Sequence, residues 1–425
     1  MNLNLKDSTY EVIVIGAGQA GLGISYFLKK NELNHVVFEK GRIGESWLSQ
    51  RWDSFALNTP NHLSVLPGDN YTGSDPEAFL SSKEFAGVLE KYALRFQLPV
   101  SENSKVVALE QNIDPLQFNV SVSENGNVKD YFSRQVVIAS GSMNGKKIPS
   151  FSDKISTDIY QLHTSEYKNS AQLPKGSVLV VGSAQSGCQI AEDLLDEGRK
   201  VFLSTSMVPR APRRYRGKDM VEWFSITKFF DLPTEEVTDP QILAMKQPQI
   251  SGLGKLGHTV SLQYLAKRGA TILGKLEKAE KTTIYLQPNA ALHVKFADDY
   301  SMKIKGMVDS YIQQNEISAP QPEKDDADLP DPTGSCASSI SSLDLIENDI
   351  HSIIWTTGFG ADFSWIKVPV LDNDGNPKHK NGISEIEGLY FIGFPWLRKR
   401  KSGIILGIKE DAEFIANEIM KKHSD

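Results

Sequence analysis

Two hexapeptides hold the residues whose types and spacing point most directly to a chemistry. Gly16-Ala17-Gly18-Gln19-Ala20-Gly21 ends the run YEVIVIG and opens the stretch AGQAGLGISYFLKK, so it reads as a tight turn between a strand and a helix. A glycine at 16 permits the turn, one at 18 lets a phosphate approach the backbone, and one at 21 allows the helix to pack closely on the strand. Glu39 lies 18 positions past Gly21 (39 minus 21), at the end of the apolar run HVVFE, where its carboxylate can accept hydrogen bonds from ribose hydroxyls.

The second hexapeptide, Gly182-Ser183-Ala184-Gln185-Ser186-Gly187, closes the run SVLVVG and puts Ala184 where the first has Gly18, which crowds a phosphate slightly. No acid ends the strand-like KVFLSTS that follows; Arg210, Arg213, Arg214 and Arg216 come instead. Guanidinium groups suit a 2′-phosphate better than a free ribose diol, which favours NADPH as the nucleotide, with NADH the alternative. For any single one of these arginines, a solvated basic loop is the competing reading.

Each hexapeptide sits in the same local order of strand, turn, helix and strand. The first unit runs from residues 10–16 to 35–39, the second from 177–182 through SAQSGCQIAEDLLDEG to 200–204. Such units imply parallel sheets. They lie 166 positions apart (182 minus 16), which duplicates whole domains rather than solenoid repeats. A chain of 425 residues also exceeds what one core fills, about 250–300. Residues 317–341, rich in Pro, Asp and Ser, read as a surface loop or connection. From 350 the strand-like IHSIIWTTGFG and LYFIGF return, followed by the helical spacing of GIILGIKEDAEFIANEIMKK. The expected architecture is an α/β fold with two Rossmann-like dinucleotide-binding domains. The first is discontinuous, residues 1–168 and 351–425, and the second, 169–350, is inserted with its Pro/Asp-rich loop near 318–340.

Composition narrows the partners. The net charge of −7 supplies no global basic field, so nucleic acid is not expected. Cys188 and Cys336 are the two cysteines, which excludes a disulfide framework, a Cys-rich metal site and a CxxC redox pair, and fits a reducing cytoplasm. MNLNLKDSTY lacks the apolar core of a signal peptide, KKHSD is polar, and no apolar stretch reaches the roughly 18–20 residues that span a bilayer.

The chain resembles the flavin-containing monooxygenases, among them plant indole-pyruvate monooxygenases and bacterial flavoproteins linked to cation transport. The resemblance covers nearly the whole length. It rests on GAGQAG, ESWLSQRWDSFALNTPNHLSVLPG, VVIASG at 136–141, QLHTSEY at 161–167, VVGSAQSG, WTTGF at 355–359 and GLYFIGFPWLRKRKSGIILGIKEDA. The family signature F-x-G-x-x-x-H-x-x-x-(F/Y/W) is half present: His163 and Tyr167 match, whereas Thr157 and Ile159 replace Phe and Gly.

The resemblance implies FAD on the first turn. Glu39 and Lys40 would hold the adenosine ribose, with Ser46 and Trp47 along the pyrophosphate and ribityl chain. Arg51, Asn58 and Thr59 would stand near the isoalloxazine, and Val106, Ala139 and Gly141 complete the FAD set. Trp47 and Trp52 read equally well as core aromatics. Gly182 to Gly187 and Arg210 would take NADPH, and Thr357, Gly358 and Phe359 would mark the crossing back to the FAD domain. Ser402 and Gly403 would open a final helix aimed at the flavin N1–C2=O edge, where its positive end steadies reduced flavin. The Arg398-Lys399-Arg400-Lys401 run before it would meet cofactor phosphates or form a solvated face.

In the implied reaction NADPH reduces FAD, reduced flavin takes up O2 as a C4a-(hydro)peroxyflavin, and one oxygen atom passes to a small organic substrate. Asn58 is the expected catalytic residue, because an uncharged amide can hydrogen-bond to a peroxide without protonating it; a turn residue ahead of Pro60 is its plain alternative. Two rivals stay open: an NAD(P)H-dependent reductase or oxidase that yields hydrogen peroxide, and a redox-sensing flavoprotein that regulates transport. A disulfide reductase lacks its CxxC. The segment 217–300 with its aromatics is either the wall that selects substrate or a homodimer surface.

Overall fold

The computed structural model describes residues 8–112, 117–245 and 247–423. Residues 1–7 and 424–425, on which the expectations of no leader and no membrane tail partly rest, lie outside the described residues.

The strand Thr9–Ile15 is buried on both faces. Val12 and Val14 join one apolar cluster, with Leu22, Leu28 and Ile408, while Ile13 and Ile15 join another, with Phe38 and Val120. That alternation is the period of two that a strand imposes. The helix Gln19–Lys30 covers the first face and ends on Lys29 and Lys30, at its negative pole. The last helix, Ile405–His423, packs against it so tightly at Gly23 that a Cβ there would lie 2.6 Å from the Ile408 side chain.

The first sheet runs in the order Val100–Ser101, His35–Phe38, Thr9–Ile15, Asn127–Ile138, Phe118–Glu124, Ser104–Gln111, with Leu389–Phe391 also paired to Asn127–Ile138. Its first four strands and Leu389–Phe391 are parallel. Phe118–Glu124 and Ser104–Gln111 continue it antiparallel. The second sheet is parallel throughout, in the order Thr271–Leu273, Val201–Ser204, Ser177–Val181, Ile350–Trp355, Tyr160–His163. Two α/β sheets, the first parallel around its hexapeptide strand and mixed at one edge and the second parallel and built from residues inserted between strands of the first, match what the repeated hexapeptides predict.

In each sheet the strand that leads into a hexapeptide has its own helix partner strand on one side and a later arrival on the other. The later arrivals are Asn127–Ile138 and Ile350–Trp355. Such reversals of strand order open a crevice at the carboxyl ends of the strands, where α/β sheets bind ligands.

The crossings between sheets need correction. Tyr160–His163 pairs with Ile350–Trp355, from Tyr160 with Ser352 to His163 with Trp355, so the second sheet spans 160–355 rather than 169–350. An apolar run announces a strand but not which sheet it joins, and here the pairing partner decides. The two crossings are clipped together. His163 Nδ1 accepts from the Ser165 backbone N–H at 3.2 Å, which leaves Nε2 protonated to donate to the Gly358 carbonyl at 2.8 Å.

The second sheet carries additions. A short aromatic helix, Met220–Ile226, is N-capped by Asp219. A three-stranded antiparallel sheet and the long helix Ala290–Gln314 follow. Residues 317–341 contain no helix or strand, yet Asp328 from this loop is buried. Among the described residues no helix is long and apolar enough to cross a membrane.

Candidate active site

The three glycines of the first hexapeptide are glycine for different reasons. Gly16 has φ +108°, and a Cβ there would lie 2.8 Å from the Ala139 carbonyl oxygen; a Cβ on Gly21 would lie 1.8 Å from the Gly16 oxygen. The turn and the helix packing demand both. Gly18 has ordinary extended backbone, φ −79° and ψ −174°, and a Cβ on it would meet nothing within 4 Å. The protein's own packing therefore does not need glycine at 18, whereas a phosphate pressed against the backbone does. The helix that starts there has no side-chain cap, so its first N–H groups stay free for an anion.

The surroundings fit the same group. Arg51 lies 5.0 Å from the Trp47 ring centroid and 5.4 Å from that of Phe55, and among the described residues it has no carboxylate partner. Desolvation lowers its guanidinium to about 10. Ser140 Oγ, beside Gly16, is buried without a hydrogen-bond partner, as are Gln50 Oε1 and Trp52 Nε1 on either side of Arg51. A cation without a counter-ion and polar atoms without partners suit an anionic, hydrogen-bonding cofactor.

The other residues expected here are less uniform. Glu39 is buried and accepts from the N–H groups of Ala17 at 2.8 Å and Gly41 at 3.0 Å; burial pushes its carboxyl up, and those two bonds oppose the shift. It therefore fixes the hexapeptide backbone itself. Trp47 is half-buried, donating to Gln19 at 3.1 Å while its ring meets Phe85 edge-on, so it links the turn to the core. Trp52 is a buried core aromatic. Lys40 and Ser46 are exposed, Thr59 is half-buried, and Ala20 and Ala139 are buried against the turn. Gly141 has φ +69° and open space around it. The Val106 side chain is sequestered in the second apolar cluster, which leaves only its backbone for a ligand.

The second hexapeptide repeats the construction. Gly182 has φ +113°, a Cβ on it would lie 2.6 Å from the Thr356 oxygen, and one on Gly187 would lie 1.9 Å from the Gly182 oxygen. Ala184 has φ −75° and ψ −174°, nearly the geometry of Gly18, and starts an equally uncapped helix, Gln185–Asp196. Ser183 Oγ accepts from the Ser206 N–H at 3.0 Å, and Ser186 is half-buried. Thr357 donates to the Lys147 carbonyl and Gly358 accepts from His163, which places both at the crossing.

Gln185, Gln189 and Glu192 share one helix face, and residues 250–258 lie along it like a strap. The Gln185 side chain accepts from Ile250 at 3.0 Å and donates to the Ser251 carbonyl; Gln189 donates to the Gly252 carbonyl at 3.2 Å. Glu192 accepts from Leu253 at 2.8 Å and meets His258 at 2.7 Å. The strap also reaches the first sheet's residues, where the Lys255 carbonyl accepts from Phe79 at 2.8 Å.

Asn58 stands where the two halves meet. Its side-chain oxygen lies 3.5 Å from the Gln189 amide nitrogen, and its main-chain carbonyl accepts from Arg213 at 3.0 Å. Arg213 is buried, paired with both oxygens of the equally buried Asp219 along its Nε–Nη2 edge, and stacked 4.5 Å from the Phe79 centroid.

The four arginines expected at a 2′-phosphate are all committed to carboxylates. Arg210 is 2 % exposed and lies between Asp298 and Asp328; Arg214 pairs with Glu77 and Arg216 with Asp309. Arg210 cannot present a free edge to solvent or phosphate, so its assignment as a nucleotide ligand is corrected: it is an internal strut between the long helix and the 317–341 loop. In the basic run before the last helix, three of the four cations are matched to acids in the same way. Arg398 faces Asp411, and Lys399 and Lys401 share Glu410 and Asp231.

Ser402 does not open the last helix, which begins at Ile405. It is buried and accepts from the N–H groups of Arg398 at 3.2 Å and Lys399 at 3.1 Å, holding the loop that delivers the helix. Gly403 has φ +84°, and a Cβ there would lie 2.8 Å from Phe394 backbone, so glycine is required to set the helix start.

Arg213 and Gln189 escaped the sequence reading as partners of Asn58. Gln189 carried a usable signal, since it falls between Cys188 and Ile190 on the buried face of an amphipathic helix. The Arg213 partner lay hidden in long-range folding, because 155 positions separate it from Asn58.

Comparisons with known proteins give the chain a family. Residues 13–238, more than half of the chain, match the family model described as pyridine nucleotide-disulphide oxidoreductase, and the chain belongs to that family. It is 34% identical over 413 residues to an uncharacterized oxidoreductase, CzcO-like, of Geobacillus kaustophilus, covering 96% of this chain and 98% of that one. A probable indole-3-pyruvate monooxygenase of Arabidopsis thaliana is 25% identical, over 95% of this chain and 86% of the relative. A flavin-containing monooxygenase from Stenotrophomonas maltophilia shares the fold with a TM-score of 0.66 at 17% identity, covering 98% of this chain and 99% of that one. The protein is an oxidoreductase of this fold, but its thiols do not suit disulfide exchange. Burial raises Cys188 to about 12 and, with Asp331 beside it, Cys336 to about 12, far above the range in which a thiolate attacks.

Proposed function

We propose that the first hexapeptide holds FAD, that the second holds a nicotinamide dinucleotide, and that the protein transfers one atom of O2 to a small organic substrate. With Arg210 locked away, NADPH and NADH stand as equal candidates. The observation that carries the reading is the position of Asn58, a neutral amide on the first part of the chain that meets Gln189 of the second uncapped helix and the buried Arg213.

FAD, when bound, supplies the oxygen chemistry; the chain's task is to hold it, admit the coenzyme and exclude water and stray protons. Gly18 would admit the pyrophosphate, Arg51 would balance its charge, and Ser140 would satisfy a polar edge. The Asn58 amide can donate a hydrogen bond without surrendering a proton, which suits a site where premature protonation releases peroxide. The strap is bonded to Gln185 at the start of the second uncapped helix, and the half-buried apolar side chains near Leu63 and Ile404 offer a wall for an organic substrate.

The test is anaerobic reduction of the purified protein by NADPH or NADH, followed by stopped-flow mixing with O2 while flavin absorbance and hydrogen peroxide are recorded. A transient absorbing species between reduced and oxidised flavin supports oxygen transfer. Direct reoxidation with one peroxide per coenzyme assigns the protein to the reductase or oxidase class instead, and a flavin that neither coenzyme reduces overturns the second site.

A further inference from the structure

Four consecutive cations, Arg398 to Lys401, lead into the last helix, and three of them are matched to acids. Arg398 faces Asp411 at 3.6 Å, Lys399 faces Glu410 at 2.9 Å, and Lys401 faces Asp231 at 2.7 Å. Arg400 differs. Among the described residues it has no carboxylate partner, and its Nε is buried with no hydrogen-bond acceptor. Its guanidinium instead lies 4.2 Å from the Phe229 centroid and 5.1 Å from that of Trp396, with the Tyr300 hydroxyl as a hydrogen-bond partner.

That environment has a chemical consequence. Aromatic faces attract a guanidinium through its face or edge but accept no conventional hydrogen bond, so the Nε–H is left without an acceptor. An unpartnered Nε–H on a partly desolvated cation matches a carboxylate, which can bond to it and to the neighbouring terminal nitrogen in parallel. The supporting backbone is strained in the same place: Trp396 has φ +55°, which a bulky residue rarely adopts, and its carbonyl is held by Thr234 Oγ1 at 2.8 Å.

The location joins this donor set to the candidate site. Phe229 belongs to the rim of a further apolar cluster, whose buried centre is Trp223, Phe224 and Phe230. Leu63, just past the Asn58 turn, and Ile404 and Leu406, at the start of the last helix, pack on the same cluster and are only half-buried. One apolar surface thus touches the asparagine turn, the final helix and the Arg400 clamp.

We infer that Arg400 is the specificity-determining residue of this site, and that it receives the carboxylate of an anionic substrate whose apolar body lies against Phe229, Trp396 and Leu406. The inference rests on the proposed oxygen-transfer site for the place of the substrate, but the binding it asserts can be measured without any turnover.

Isothermal calorimetry with the full-length flavoprotein tests it, using phenylacetate as the anionic probe and phenylacetamide as its neutral isostere. Wild type is expected to bind phenylacetate at least about tenfold more tightly than the amide, and R400Q to lose that difference; tenfold corresponds to about 1.4 kcal/mol. R400K, which keeps the charge without the planar fork, is expected to fall between them and guards against a misfolded R400Q. Equal binding of acid and amide by wild type, or an undiminished preference in R400Q, overturns the inference. So does a loss confined to NADPH and NADH, which would make the anion a coenzyme phosphate. Failure of the oxygen-transfer reading shows separately, in the stopped-flow trace, and leaves the calorimetric result standing.

Discussion

The guanidinium of Arg213 donates to the main-chain carbonyl of Asn58 at 3.0 Å while holding the Asp219 carboxylate with its remaining edge. Asp219 caps the aromatic helix, so a single buried cation ties the candidate catalytic turn to the candidate substrate wall. Removing the cation outright would strand a buried carboxylate at a cost of about 3–5 kcal/mol. R213K is therefore the informative change, because it retains charge and loses the fork. It is expected to leave flavin reduction by coenzyme within about twofold of wild type and to alter reoxidation by O2 by about fivefold or more, near 1 kcal/mol. A variant that melts earlier but reoxidises normally would reduce Arg213 to a purely structural tie.

Gly18 and Ala184 occupy the same backbone geometry at the starts of the two candidate nucleotide helices. Alanine is evidently tolerated there. G18A is therefore expected to fold with unchanged melting temperature and to bind FAD about tenfold more weakly, a loss near 1.4 kcal/mol, when apo-protein is titrated by flavin fluorescence. G16A and G21A, whose Cβ atoms would meet backbone oxygen at 2.8 and 1.8 Å, are expected not to accumulate as soluble protein. Tight FAD binding by G18A would remove the ligand explanation of that glycine.

These contrasts show where the sequence was readable. The glycine hexapeptides, each with its strand and helix, specify a local turn through nearest neighbours, and both formed as expected at Gly16 and Gly182. Arg210 was misread because four clustered arginines resemble a phosphate site until folding brings Asp298 and Asp328 to the first of them. Those acids lie 88 and 118 positions away, beyond any local pattern. Ser402 was misplaced by three residues for a different reason: its hydroxyl closes a loop on Arg398 and Lys399 instead of capping a helix, and serine serves both uses. His163 and Tyr167 of the half-kept signature are structural, since His163 clips the two crossings and Tyr167 is buried and donates to Asp193 at 2.6 Å.

The burial of Arg210 yields its own test. If that residue is an internal strut, R210Q leaves Asp298 and Asp328 short of a counter-charge and destabilises the fold, by about 3–5 kcal/mol for a buried pair. The ratio of kcat/KM for NADPH to that for NADH should stay within about twofold, under 0.5 kcal/mol of discrimination. Thermal melts and steady-state kinetics with both coenzymes check this. A stable R210Q that loses NADPH preference would restore the phosphate role.

Asp411 supplies a pH signature at the last helix. Burial pushes its carboxyl up to about 6 against the opposing pull of Ser402 and Arg398, and its Oδ2 is buried without a partner. Between its ordinary value of 3.8 and about 6, the native protein keeps a proton that the unfolded chain has already released. Stability from this group therefore falls as pH rises through that window, and above it the penalty stays constant, at most about 3 kcal/mol for two pKa units. D411N abolishes the titration and keeps a polar group of the same shape. Its melting temperature relative to wild type should be more favourable at pH 7.5 than at pH 4.5, because only the wild type acquires a buried charge between them. An equal offset at both pH values would mean that Arg398 compensates the carboxylate fully, and that Asp411 ionises like a surface acid.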